Sequence, residues 1–335
     1  MSLPDFPSTS IGKIKTKDIE IFMRDLFILE ENNVILYDDV SLSQLQENLS
    51  NSKGLFWLDL DQITDEDTTF LEEFKEIGAH PSSIKACREI STRSCSTVFQ
   101  HHIFMVFNIQ ENFNSPPIKL GIFLAPNYLI TIHPTPLGIL QEVKSQIQQD
   151  PHLMRSTDLT IALIMEAICD HQDSLVSELT AETTKTEQVT NAQWIYDMQC
   201  QLISMVHQVK PQSEIVNSLY TGKNLSLQSE AVIQLQEVFY QFRNMVEILN
   251  RQWEMLNNAS ATVRSNRLEG IERATKRLTV LIGALLPLIL ISTIINLDQL
   301  LWAKLLNLDL LAIGFLVALL VGIIFILTSR KNINN

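Results

Sequence analysis

LTVLIGALLPLILISTII, residues 278–295, and LLAIGFLVALLVGIIFIL, residues 310–327, decide how this chain is read. Neither run holds a charged residue. Each has about 18 residues, the lower end of what crosses a hydrocarbon core of roughly 30 Å. The competing reading is a pair of buried core helices. Soluble domains seldom place two uncharged helices of that length in tandem. Pro287 sits inside the first run, where neighbouring helices in a membrane can make good the lost hydrogen bond. Spans are therefore expected over about 278–296 and 309–328.

Basic residues give the orientation. Arg264, Arg267, Arg273, Lys276 and Arg277 precede the first run, and Arg330 and Lys331 follow the second. The connecting loop carries Lys304 against Asp298 and Asp309. By the positive-inside rule both termini face the cytoplasm, so the expected location is an inner membrane crossed twice. Residues 1–9 lack the basic and apolar regions of a signal peptide. The net charge of −13 argues against a nucleic-acid partner, which needs a basic face. A mean hydropathy of only +0.10 makes the membrane part a minority of the chain. Cys87, Cys95, Cys169 and Cys200 show no CxxC spacing, so neither a disulfide framework nor a zinc motif is read from them.

The remainder divides into a domain over 1–155, a helical stalk over 156–277 and the membrane region over 278–335. Strands are expected over 19–24, 34–37, 55–60, 98–109 and 119–133, the last a hairpin turning at Pro126-Asn127. Residues 64–77 read as a helix capped by Thr64, with Asp65, Glu66 and Asp67 in its first turn. Mixed strands and helices point to an α/β sandwich. Beyond Ser156 the pattern turns helical: 158–186, then 193–218 kinked or broken at Pro211, then a helix opening at Leu227. In that last helix Leu235, Phe242, Leu249 and Leu256 recur every seven residues, with Val238 and Met245 interleaved. Such a seam offers a means of subunit association. No proline interrupts 227–286, and a helix over 228–295 would run roughly 100 Å, so it reads as a stalk entering the bilayer.

Several local stretches resemble the CorA family of divalent-cation transporters, and the likeness covers nearly the whole chain. Phe56-Trp57-Leu58-Asp59-Leu60 is similar to the family's Trp-Ile/Leu-Asp-Leu strand. The pair Leu120-Gly121-Ile122-Phe123-Leu124 and Asn127-Tyr128-Leu129-Ile130-Thr131-Ile132-His133 resembles its Leu-Phe-Leu and Asn-x-Leu-Ile-Thr-Val-His strands. Glu166-Ala167-Ile168-Cys169-Asp170 is similar to its Asp-x-x-Val-Asp helix, and Leu278-Thr279 with Pro287-Leu288 to its first span. The resemblance implies a funnel-shaped homo-pentamer in a lipid bilayer that passes divalent cations, Mg²⁺ or a related ion, with no resident cofactor.

Two family hallmarks are altered. Where the family has Gly-Met-Asn, the mouth that holds a hydrated Mg²⁺, this chain has Asn296, Leu297 and Asp298. These are read either as an ordinary polar helix end or as a pore mouth in which Asp298 contacts the metal; a ring of such carboxylates attracts cations. Lys304, on the outer loop, opposes that attraction. In the family's intersubunit Mg²⁺ sensor, the Glu-Asp pair becomes Lys85-Ala86, and the stalk partner is Glu237. One carboxylate is a poor site for a hard cation. Lys85 and Glu237 are read as solvated charges or as a metal-free pair across the interface.

By the same carry-over the pore-lining positions are Glu272, Thr275, Leu278 and Leu286. Leucine rings of this kind form a constriction that gates by dewetting; their plain alternative is helix packing. Glu272 either pairs with Lys276 or lines the cytoplasmic pore mouth. His101 and His102, in a strand pattern, point to opposite faces and make a poor metal site. His80 before Pro81 reads as a helix start. No nucleotide loop or hydrolase motif occurs, so an enzyme is not expected. Two functions remain: a homo-pentameric divalent-cation channel or transporter, or a CorA-shaped scaffold or sensor that does not conduct.

Overall fold

The computed structural model describes residues 24–298 apart from 31–32, 52–53, 75–76, 90–92, 114, 185–190 and 223–226. The run at 310–327, Lys304, Asp309 and nearly all of the strand expected at 19–24 lie outside the described residues; Arg24 itself opens β1. Two compact units emerge, Met1–Thr186 with Tyr196–Met255, and Glu187–Ile195 with Leu256–Asn335.

The first unit is built on one seven-stranded sheet: β1 (Arg24–Glu30), β2 (Asn33–Tyr37), β3 (Leu55–Asp61), β4 (Cys95–Val98), β5 (Ile103–Ile109), β6 (Ile118–Leu124) and β7 (Tyr128–His133). Their spatial order is β2-β1-β3-β7-β6-β5-β4. Only the central β3–β7 pair is parallel; the other pairs are antiparallel. Strand alternation divides the side chains between two faces. Leu26, Ile28, Phe56, Leu58, Ile130 and Ile132 form one core with α1 (Leu42–Asn51), α2 (Asp65–Glu73) and α3 (Pro81–Arg88). The opposite face meets α4 (Gly138–Gln149), a 3-10 turn (Pro151–Met154) and α5 (Thr157–Thr183). The sandwich expected from the sequence is thus a mixed sheet with helices on both faces.

Local chemistry sets the helix starts. Thr64 accepts from the Asp67 amide while the Asp67 carboxylate accepts from the Thr64 amide, a reciprocal cap. α2 ends at Glu73, not at residue 77, because the chain turns extended at Phe74. His80 starts α3: its Nδ1 accepts from the Ser82 amide at 3.2 Å, and Pro81 fills the first turn, where no donor is needed. Gly121 on β6 has a separate role, because any Cβ there would overlap Cys87 Sγ on α3. The absent side chain lets the helix lie close on the sheet.

Three expectations need correction. The strand expected over 98–109 is two strands, β4 and β5, joined by a tight turn closed by Phe99 N–H on the His102 carbonyl at 2.9 Å. His101 and His102 therefore sit in the turn, the first exposed and the second buried. Of the kink or break expected at Pro211, the break does not occur: α6 runs Ala192–Thr221 through it. One hydrogen bond is lost, but Val209, Gln212, Ile215 and Val216 are buried on either side, and Gln212 Nε2 donates to the Asn108 carbonyl at 2.7 Å.

The third correction concerns the heptad seam on α7 (Ser229–Asp298). Leu235, Phe242, Met245, Leu249 and Leu256 have no exposure in the single chain, and Val238 has 3%. Their cover comes from the same chain. Cys169 on α5 donates to Gln241 at 3.2 Å, Thr183 to Gln252 at 2.9 Å, and Tyr220 of α6 packs its ring 5.6 Å from Phe239. A seven-residue repeat marks helix packing without specifying whose helix it meets. The seam is core, each large residue contributing about 1.5–3 kcal/mol of burial, and is not available for association.

Candidate functional site

All the pore positions read from the sequence lie on α7, which remains helical through Pro287 to Asp298. At 100° per residue, Leu278, Thr275, Leu286 and Glu272 share an arc of about 120°. Leu278 and Leu286 are 59% and 53% exposed in the single chain. Thr275 spends its hydroxyl on the Ile271 carbonyl at 2.9 Å. Glu272 pairs with Lys276 at 3.0 Å, an exposed i,i+4 contact worth a few tenths of a kcal/mol, about 0.3–0.5. Asn296 and Leu297 return to the same arc, while Asp298, the last helical residue, falls about 80° beyond its edge. Among the described residues no helix is long and apolar enough to cross a membrane.

The positions aligned with the family sensor hold no acidic cage. Lys85 pairs with Glu89, the residue that caps the end of its helix, at 3.3 Å, both ends exposed. The Ala86 carbonyl accepts from Lys119 Nζ at 3.3 Å. Glu237 is exposed on α7 beside Tyr240 and Gln241. Near it on α5, burial pushes the Glu166 carboxyl up, and Asp170 and Glu237 add to the shift. Among the described residues no three His, Cys, Asp or Glu side chains are grouped to hold a metal ion.

The structure also assembles a charged cluster that the sequence reading did not single out. Sheet register places Asp25 beside Asp59, Asp59 beside Thr131, and Asp61 beside His133, all on the face opposite α1–α3. Lys144 descends from α4, its Nζ 2.5 Å from Asp25 Oδ2 and 2.6 Å from Asp59 Oδ2. Trp57 donates to Thr131 Oγ1 at 2.9 Å, and Thr131 donates to Asp59. Burial opposes the Asp59 charge, yet His133 and Lys144 outweigh it and hold the carboxyl at about 2. Burial likewise works against the Lys144 ammonium, but Asp59 and Asp25 raise it above its ordinary range. These groups line a cavity of about 50 Å³ with Pro136, Leu137, Leu140 and Gln141. A sequence signal existed: Asp59 and Asp61 interrupt an otherwise apolar strand, on the face that alternation turns inward.

Comparison with known proteins places this geometry. The family described as "CorA-like Mg²⁺ transporter protein" matches residues 52–329. No curated relative matches the chain in sequence. Among solved structures, full-length CmaX superposes with a TM-score of 0.71 at 14% identity, covering 93% of this chain and 98% of that one. The complete CorA magnesium transporter of Methanocaldococcus jannaschii gives 0.68 at 15%, covering 92% and 98%. The ZntB cytoplasmic domain of Vibrio parahaemolyticus RIMD 2210633 gives 0.60 at 12%, covering 74% and 99%. At such identities these likenesses establish the fold.

Proposed function

Because the chain belongs to the CorA-like Mg²⁺ transporter family, we propose that it is an inner-membrane channel or transporter for divalent cations. The observation that carries the reading is the family match across 52–329, which takes in both apolar runs and the loop between them. Two spans cannot enclose an aqueous path, so the pore forms between subunits, five by family likeness. α7 supplies its wall through Glu272, Thr275, Leu278 and Leu286, and Asn296, Leu297 and Asp298 form the mouth. Large apolar side chains around α7, Leu278, Leu281, Ile282, Leu285, Leu286 and Leu288 among them, are more than half exposed in the single chain. Exposure on that scale along one helix calls for lipid or neighbouring subunits as cover. With the heptad seam spent inside the subunit, the ring rests on other faces of α7.

Native mass spectrometry of the full chain in detergent tests the assembly. A closed ring is expected, five-fold by likeness; a stable monomer would end the channel reading. Uptake of divalent ions by liposomes tests transport, and liposomes no more permeable than protein-free ones would leave a membrane scaffold.

Regulation departs from the family pattern. With Lys85 and Ala86 in place of the acidic pair, millimolar Mg²⁺ has no carboxylate cage to bridge. Protease resistance of the sheet domain is expected to be the same with and without Mg²⁺. Strong protection by Mg²⁺ would mean that other carboxylates, such as Glu166, Asp170 and Glu237, have taken over.

A further inference from the structure

Both ring nitrogens of His133 meet acceptors. Nδ1 lies 2.7 Å from the Thr135 carbonyl oxygen, and Nε2 lies 3.1 and 3.2 Å from the two carboxylate oxygens of Asp59. A neutral imidazole has one N–H and one lone pair, so one of these contacts would set lone pair against lone pair. Only the imidazolium donates at both. We infer that His133 is a buried proton-binding site, and that its bound proton fastens the turn between β7 and α4 to strand β3.

The surrounding charges require the same proton. Asp25 faces the cluster from β1, Asp59 and Asp61 from β3, and Lys144 from α4. Without the imidazolium, Lys144 alone confronts three carboxylates. Among the described residues Asp25 Oδ1 and Asp61 Oδ1 are buried without hydrogen-bond partners, and Asp61 Oδ1 lies 3.6 Å from His133 Nδ1. Unpaired buried carboxylate oxygens are costly, and a nearby positive charge offsets that cost. Burial works against the charge on His133, but the Asp59 carboxylate and the Thr135 carbonyl raise its pKa above 6.5. The cavity of about 50 Å³ beside the ring has room for the water through which a proton exchanges.

Linkage fixes the direction. A histidine whose folded pKa is raised contributes stability that is complete below 6.5 and is lost as pH rises through the folded value. His102 has the opposite sign: burial and His101 lower its pKa, so its cost appears as pH falls below 6.5. The alkaline side therefore reports on His133 free of His102.

The test is thermal unfolding of the full chain in detergent between about pH 6.5 and about pH 8, below the range in which the buried thiols of Cys87 and Cys169, whose pKa values burial raises, add a loss of their own. Hydrogen exchange, corrected for its intrinsic pH dependence, is followed in parallel. The melting midpoint should fall by about 2–4 °C across that window, with protection lost first over residues 128–149. His133→Gln should flatten the dependence. Asp61→Asn, which removes one charge favouring the imidazolium, should fold normally and move the transition to lower pH. A flat profile in the parent, an unaltered profile in His133→Gln, or an unmoved transition in Asp61→Asn each overturns the inference. If His133→Gln fails to fold, the parent profile and Asp61→Asn decide alone. Transport does not enter the measurement, so this outcome is independent of the channel reading.

Discussion

Lys144→Ala is expected to destabilise the sheet domain by about 3–5 kcal/mol. The side chain is 16% exposed and its ammonium bridges Asp25 and Asp59, which come from two adjacent strands. Removing it leaves two buried carboxylates facing each other, with His133 the only remaining cation near them among the described residues. Breaking one partner of a buried ion pair costs far more than the pair contributes, because the stranded charge keeps its desolvation penalty. Lys144→Met separates the two components of the loss. It restores most of the packing of the aliphatic stem and none of the charge, so it should recover little. Chemical denaturation of the full chain, read by a probe of the sheet domain, measures both variants. If Lys144→Met matches the parent, the stem and not the charge is what Lys144 supplies.

Asp298→Ala is expected to reduce divalent-cation flux by about tenfold or more, with Asp298→Asn close behind; a loss of about 1.4 kcal/mol in ion attraction suffices for that factor. Asp298 closes the α7 helix, where a symmetric ring would bring several carboxylates together. Like charges at close range repel, and a shared cation relieves the repulsion. Helical spacing sets Asp298 to one side of the arc that carries Leu278 and Leu286. On the proposed channel reading, Asp298 would act as a charge on the rim and Asn296 as part of the wall. Folding should be unaffected in both variants, because on the channel reading this helix end lies at the wet membrane surface. Asp309→Asn, on the same loop, is the control and should change flux little. Asp298 variants that conduct like the parent while Asn296→Ala does not would move the ion contact to the wall.

Sequence alone revealed much of the architecture, and the reasons are local. Strand alternation exposed β2 and β3, Pro126-Asn127 the β6–β7 hairpin, Thr64 and His80-Pro81 the starts of α2 and α3. Seven-residue spacing exposed the buried stripe of α7 but not its partner, since periodicity gives a face and not the neighbour that covers it. The residues that carry the buried charge lay far apart in the chain. Asp25, Asp59, His133 and Lys144 meet only through the β1–β3–β7 register and the return of α4, and no window of the sequence contains more than two of them. The turn at His101-His102 was hidden because Val98 and Ile103 flank it with strand-forming residues on both sides. At the pore, both the wall positions and the altered mouth came from alignment with the family; helical spacing adds only that Glu272, Thr275, Leu278 and Leu286 share one side of α7.

The proposed function requires that this chain, with Asn296, Leu297 and Asp298 in place of Gly-Met-Asn, still conducts. Time-resolved uptake of Mg²⁺, Co²⁺, Ni²⁺ and Zn²⁺ into liposomes carrying the full chain tests it directly. The expected result is entry of at least one of these ions well above protein-free liposomes, scaling with the amount of assembled ring. Rates equal to those of protein-free liposomes for all four ions, from protein shown to be folded and oligomeric in the same membranes, would contradict it.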